Sequence, residues 1–322
     1  MSDDRVLSTH SIATPAPAPA DERHLGAGLG MDAVTLRVGD LEVMSDYYAS
    51  AFALSPIEEA ARPGSGEVHR VLGRGGVPFV RLVSTPGLPG VDHRQAGLFH
   101  TAFLFEDEAG LAGTAARAAA DGRSRFIGAQ DHLVSEAFYF TDPEGNGIEL
   151  YRDRPRDVWQ WRDGEVMMDS IGFDPNAYLQ THLTEQSLNA TGEPAGIVGH
   201  VHLQVGDIPT ARAFYVDTLG FEATAGSHPA ALFTSAGGYH HHIAMNTWNS
   251  RGAGPRAASL GLADVAVTVD HREELDALTA RLRASGRTVE DNGSSVRTVD
   301  PWGTPVTFSV RGTTDVDELL SR

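Results

Sequence analysis

The chain of 322 residues contains no cysteine. That absence excludes disulfides, thiolate metal sites and a cysteine nucleophile, so any metal must be held by nitrogen and oxygen donors. Cations are also scarce: 25 Lys and Arg stand against 43 Asp and Glu, a formal net charge of −18. No basic run interleaved with aromatics occurs. Phosphate binding relies on clustered cations, so no nucleic-acid partner is expected. Long apolar runs are missing too, since none approaches the roughly 20 residues that span a bilayer. The opening MSDDRVLSTH lacks the basic-then-apolar layout of a signal peptide. The expectation is a cytoplasmic protein with no membrane partner. Its length allows two ordinary domains, each with its own core.

What is present is repetition. Residues 1–27, with ATPAPAPAD among them, are rich in alanine and proline without apolar periodicity and are expected to form a disordered tail. Beyond them VTLRVGDLEVMSDYYASAFAL, from Val34, aligns without gaps on VHLQVGDIPTARAFYVDTLGF, from Val201; Val-Gly-Asp recurs, and Tyr48 matches Tyr215. GLFHTAFLFEDEAGLAGTAARAAADGR, from Gly97, matches GLADVAVTVDHREELDALTARLRASGR, from Gly261. FTDPEGNGIELY, from Phe140, matches TVDPWGTPVTFS, from Thr298, through Asp-Pro-x-Gly.

Nearly constant offsets define two duplicated halves, residues 28–152 and 197–311. A linker, 153–196, joins them, and a C-terminal tail covers 312–322. Modules begin near Val34, Leu98, Val201 and Leu262. Each opens with an alternating apolar strand, then a helix with apolar residues three and four apart, then short strands between glycine-rich turns. The predicted fold class is α+β, with four βαβββ modules. The linker carries Trp159 and Trp161 and reads mainly as a surface strap, a cover over the active site being the lesser alternative.

Duplication also supplies a control, because polar residues demanded by the fold should appear in both copies. His100 faces Asp264 in the alignment, Glu149 faces Thr307, and His200 faces Ala33. None of the three is required for folding. A carboxylate flanked by Ile148 and Leu150 in a strand is costly to desolvate unless paired, so Glu149 needs a partner, and two histidines can supply it. Three imidazole and carboxylate ligands with open positions suit a non-haem Fe(II) oxygenase, and zinc accepts the same donors. In AGGYHHHIAMN, from Ala236, continuation of the Ile-Ala-Met strand would put His240 and His242 on one face and His241 on the other.

The βαβββ module, repeated with first-strand histidines and a last-strand glutamate, resembles the vicinal oxygen chelate superfamily. Within it DHLVSEAFYFTDPEGNGIELY, from Asp131, resembles the signature of type I extradiol dioxygenases, with Gln130 as one departure. The chain is similar to the bacillus-type catechol 2,3-dioxygenases, a likeness that includes the DRP after Arg152, GHVHLQV and the histidine triplet.

The resemblance implies Fe(II), or Mn(II) in its place, bound by His100, His200 and Glu149. His202, two residues from His200 on the same strand face, is the rival ligand. It implies His241 beside the dioxygen position as acid or base, and His132 and Tyr139 on the substrate oxygens. The implied reaction is meta-cleavage of catechol or a substituted catechol by O2 to a 2-hydroxymuconic semialdehyde. Modules two and three would then pair around the metal, leaving one and four inert, and edge strands and the family's habit imply a homo-oligomer. The alternatives are a metal-dependent isomerase or lyase of the glyoxalase kind, which typically uses four protein ligands, often two of them carboxylates, and a metal-free binding protein of the same fold.

Overall fold

The computed structural model describes residues 24–62, 64, 66–189 and 196–312. Module one comprises β1 (Val34–Val38), α1 (Leu41–Phe52), β2 (Ser55–Ala61), β3 (Val68–Arg74) and β4 (Val77–Ser84). Module two repeats the order with β5 (Gly97–Phe105), α2 (Glu108–Ala120), β6 (Arg125–Asp131), β7 (Ser135–Thr141) and β8 (Gly147–Asp153). After linker helices α3 (Pro175–His182) and α4 (Glu185–Asn189), module three holds β9 (Gly196–Gln204), α5 (Ile208–Tyr215), β10 (Glu222–Ala225), β11 (Ala231–Ser235) and β12 (Ile243–Asn246). Module four holds β13 (Gly261–Val269), α6 (Arg272–Ala284), β14 (Glu290–Asp291), β15 (Ser295–Val299) and β16 (Pro305–Val310).

The modules pair across the duplication. One sheet runs β6-β7-β8-β5-β9-β12-β11-β10 and joins modules two and three; the other runs β14-β15-β16-β13-β1-β4-β3-β2 and joins four and one. First strands meet antiparallel at both centres, β5 on β9 and β13 on β1. Of these central strands β13 is buried along its whole length.

The recurring motifs have local physical causes. The aspartate of each Val-Gly-Asp caps a helix: Asp40 accepts from the Val43 N–H at 3.0 Å and Asp207 from the Thr210 N–H at 2.9 Å. Such caps satisfy donors that the first helical turn leaves unpaired. Between them and the preceding strand, Gly206 has its Cα so close to the Ala253 carbonyl that a Cβ would lie 2.1 Å from that oxygen. The aspartate of each Asp-Pro-x-Gly turn takes two backbone N–H groups and then a tyrosine. Asp142 accepts from Tyr48 at 3.1 Å, and Asp300 from Tyr215 at 3.2 Å. Two separately recognised repeats are thus one interaction, tying the helix of one module to the last turn of the next.

Residues 1–23 and 313–322 lie outside the described residues, and with them most of both expected tails. Of the expected N-terminal tail residues 24–27 are described, and this stretch is anchored to the core by leucine although His24 and Ala27 are exposed. Leu25 and Leu29 are buried in the main core, and the Leu25 N–H donates to the Gly220 carbonyl at 2.9 Å. The linker does more than strap: α3 and α4 pack on α2, Ile171–Gly172 extends the β6 edge, and Met168, Asp169 and Ser170 line the cavity described below.

Candidate metal centre and substrate cavity

The register across β8, β5 and β9 builds the site. Ala102 of β5 lies opposite Glu149 on one side and His200 on the other, and His100 is one pleat along the same strand. The small Ala102 side chain leaves room above it for three larger ones. The Nε2 atoms of His100 and His200 lie 2.9 and 3.1 Å from the same Glu149 Oε2. All three side chains are buried, and their donor atoms lie within 4.8 Å of one another. Burial works against the Glu149 carboxylate, yet the His200 and His100 imidazoles hold its pKa well below the usual range. His200 is pushed down to about 4 by burial. Low pKa values on the Glu149 carboxyl and on His200 suit cation binding, which needs deprotonated donors.

The donor set fits such a cation on structural grounds. Glu149 is 3% exposed and its charge faces the His200 and His100 imidazoles, with no lysine or arginine in ion-pair contact with it. His200 Nδ1 is buried without a hydrogen-bond partner. His202, the rival ligand, is turned elsewhere: its Nε2 contacts the Asn246 side-chain amide at 2.9 Å, so His200 is the member of the cluster.

A cavity of about 780 Å³ opens over the cluster, lined by His100, Glu149, Tyr139, His132 and His241 and walled by Phe99, Phe233 and Trp248. His132 Nδ1 is 2.6 Å from the Asp169 carbonyl and its Nε2 is 2.7 Å from the Tyr139 hydroxyl. A carbonyl only accepts, so Nδ1 carries the proton and the neutral ring takes the Tyr139 O–H at Nε2. Tyr139 is pushed well above its ordinary pKa by burial and then by the Glu149 charge.

The histidine triplet departs from the strand expectation only in placement. Strand β12 begins only at Ile243, so the three histidines precede it, yet the expected division holds: His241 alone of the three lines the cavity, while the rings of His240 and His242 both lie against Tyr239 at centroid distances of 4.2 and 4.9 Å. His241 lines the cavity with its ring centroid 4.0 Å from that of His200, and burial first, then its imidazole neighbours, push its pKa well below the ordinary value. His240 is fully buried and lies against His241, with the two Nδ1 atoms 2.7 Å apart. His242 turns away to the Ser235 hydroxyl at 3.1 Å.

The pseudo-symmetric position in the other sheet is closed. Thr307 donates to Asp264 at 2.7 Å, Arg297 Nε lies 3.9 Å from the same carboxylate, and Arg81 donates to Thr35 at 3.1 Å. Guanidinium groups take the place of a cation there, and the residual cavity is about 60 Å³. Sequence comparison alone missed Asp153, Asp169, Asn246 and His240. Asp153 stands in the quoted DRP, but its role depends on a partner 87 residues away.

Two matches to the glyoxalase/bleomycin resistance protein/dioxygenase superfamily cover residues 30–150 and 197–311, and the chain belongs to that superfamily. It is 41% identical over 218 residues to a catechol-2,3-dioxygenase of Bacillus subtilis (strain 168), covering 66% of this chain and 75% of that protein. Among solved structures, a putative dioxygenase of Bacillus subtilis superposes with a TM-score of 0.60 at 15% identity, over 92% of this chain and 90% of that one. Glyoxalase I of Zea mays gives 0.55 at 17% identity, over 91% and 94%. Those two likenesses establish the fold. Among the described residues no helix is long and apolar enough to cross a membrane.

Proposed function

We propose that the chain is an extradiol ring-cleaving dioxygenase that uses Fe(II), with Mn(II) as the alternative metal, to open catechol or a substituted catechol with O2 to a 2-hydroxymuconic semialdehyde. The observation that carries this reading is the meeting of His100, His200 and Glu149 at one carboxylate oxygen, on the floor of a cavity that also holds Tyr139 and His132. The 41% identity to a protein named catechol-2,3-dioxygenase supports it.

His100, His200 and Glu149 would hold the Fe(II), which when bound would supply charge stabilisation and orientation to the reaction. The protein does the rest. Tyr139 gives its hydrogen to His132, so its oxygen lone pairs face the cavity and accept from a substrate hydroxyl. A proton taken by Tyr139 is matched by transfer of its own to His132 Nε2, and the Asp169 carbonyl on the opposite ring nitrogen holds that imidazole in place. His241, on the opposite flank beside His200, is placed to exchange a proton with the oxygen undergoing reaction. Phe99, Phe233 and Trp248 exclude water from the ring. The glyoxalase-type alternative calls for further protein ligands, often a second carboxylate, and the cluster found among the described residues contains one carboxylate.

The test is anaerobic loading with Fe(II), then catechol in air, with metal content measured on the same sample. A yellow product together with about one iron per chain is expected. Iron bound at that ratio with no ring opening of any catechol tried would end the proposal.

A further inference from the structure

We propose that Asp153 and His240 are positioning residues that fix the tautomer of His241, so that His241 presents a bare Nε2 to the cavity. The inference extends the dioxygenase reading, but the hydrogen-bond geometry it rests on is independent of that reading. Asp153 Oδ1 lies 2.8 Å from His240 Nε2. A carboxylate only accepts, so His240 Nε2 carries a hydrogen. His240 Nδ1 lies 2.7 Å from His241 Nδ1, and two ring nitrogens that close require one hydrogen between them. In the neutral pair His240 is already hydrogenated at Nε2, so the shared hydrogen belongs to His241 Nδ1. His241 Nε2 is left as a lone pair.

The surroundings hold this arrangement rigidly. His240 is fully buried, with Trp159 and Tyr239 against its ring at centroid distances of 5.3 and 4.2 Å. Tyr239 in turn shares a 2.6 Å hydrogen bond with Tyr151, a residue of the strand that carries Glu149 and Asp153. One strand therefore sets both the carboxylate of the metal cluster and the carboxylate that orients His241. The consequence for chemistry balances in protons. When His241 Nε2 accepts a hydrogen from a bound molecule, its Nδ1 hydrogen can pass to His240 Nδ1. His241 stays neutral, and the positive charge rests on His240 beside Asp153, with its ring centroid 5.8 Å from that of His200 against 4.0 Å for His241. The logic is that of a base oriented by a third, anionic group.

The test begins with metal-free protein carrying isotope-labelled histidine ring nitrogens, whose magnetic resonance patterns distinguish the two tautomers, with His241→Gln used to assign the signal. The expected result is the Nδ1–H form for His241. Asp153→Leu removes the acceptor and should shift His241 toward the Nε2–H form. Asp153→Asn keeps an acceptor but no charge, so the tautomer should persist while kcat of the metal-loaded protein falls roughly 10- to 100-fold at unchanged KM and metal content. An Nε2–H tautomer in the wild-type protein would overturn the proposal, as would unchanged tautomer and kcat in the Leu variant. The wild-type measurement needs no variant to fold. Because it needs no turnover either, a predicted tautomer in a protein that opens no catechol would refute the dioxygenase reading and leave this one standing.

Discussion

Replacing Glu149 by glutamine should separate the metal centre from the stability of the fold. The carboxylate is 3% exposed, and burying such an ion costs several kcal/mol. The His200 Nε2–H donates to it, a hydrogen bond to a charged group being worth about 1.5–3 kcal/mol, and the His100 imidazole adds a close contact at 2.9 Å. These terms nearly cancel. Glutamine has the same shape, retains one accepting oxygen and carries no charge to desolvate. The metal-free Glu149→Gln protein should therefore unfold within about 2 kcal/mol of the wild type.

Metal changes the comparison. A cation at 100 times its Kd stabilises the folded state by about 2.7 kcal/mol. At roughly 2 °C per kcal/mol for a large chain, the wild-type midpoint should rise by about 5 °C. The variant, without its anionic donor, should show almost no rise at the same Mn(II) concentration. Thermal unfolding in chelator and in Mn(II) reads both quantities. A metal-free variant weakened by more than about 4 kcal/mol would show the cluster to be a structural network instead. An equal metal-induced rise in both proteins would remove Glu149 from the ligand set.

Burial pushes His200 down to about 4 and His242 to about 3, so the unfolded chain takes up these protons from about pH 6.5 downward while the fold refuses them. That stability is complete above pH 6.5 and is lost as pH falls. Asp142, raised by burial to about 6, works in the opposite sense and regains part of its cost below that pH. His202 and His241, also pushed down by burial, add to the loss, so metal-free protein should lose at least about 2–3 kcal/mol between pH 7 and 5 by urea unfolding, and a flat profile would contradict the assignment. His241→Gln should keep its iron while turnover slows roughly 100-fold or more, so loss of iron would count against its role. Among the described residues the cavity lining contains no lysine or arginine and does contain Glu149 and Asp169. Kinetics should accordingly favour 4-methylcatechol over 3,4-dihydroxybenzoate by about tenfold or more in kcat/KM, since an unpaired buried carboxylate is costly; parity would refute the reading.

The repeats carried the fold because each recurring residue has a local task. Asp40 and Asp207 cap helices, and Asp142 and Asp300 organise the same turn, so both halves had to retain them. The site was legible by the complementary logic, in residues that one copy has and the other lacks. His100, Glu149 and His200 stand where the duplicate carries Asp264, Thr307 and Ala33, and the structure brings those three together. At the histidine triplet alternation picked out the cavity-facing member, His241, although β12 itself starts only at Ile243.

Composition and internal repetition determined that the metal donors would be nitrogen and oxygen, that four βαβββ units would form, and which unit carried the unusual polar residues. Tertiary structure alone decided that β5 lies beside β9, with Ala102 leaving space between Glu149 and His200, and that arginines close the matching position in the other sheet. It also decided that Asp153 reaches His240 and that the Asp169 carbonyl holds His132. Capping and turn formation depend on neighbours in the chain, whereas a shared metal position and a hydrogen-bond chain depend on strand register and on loops that meet from distant segments.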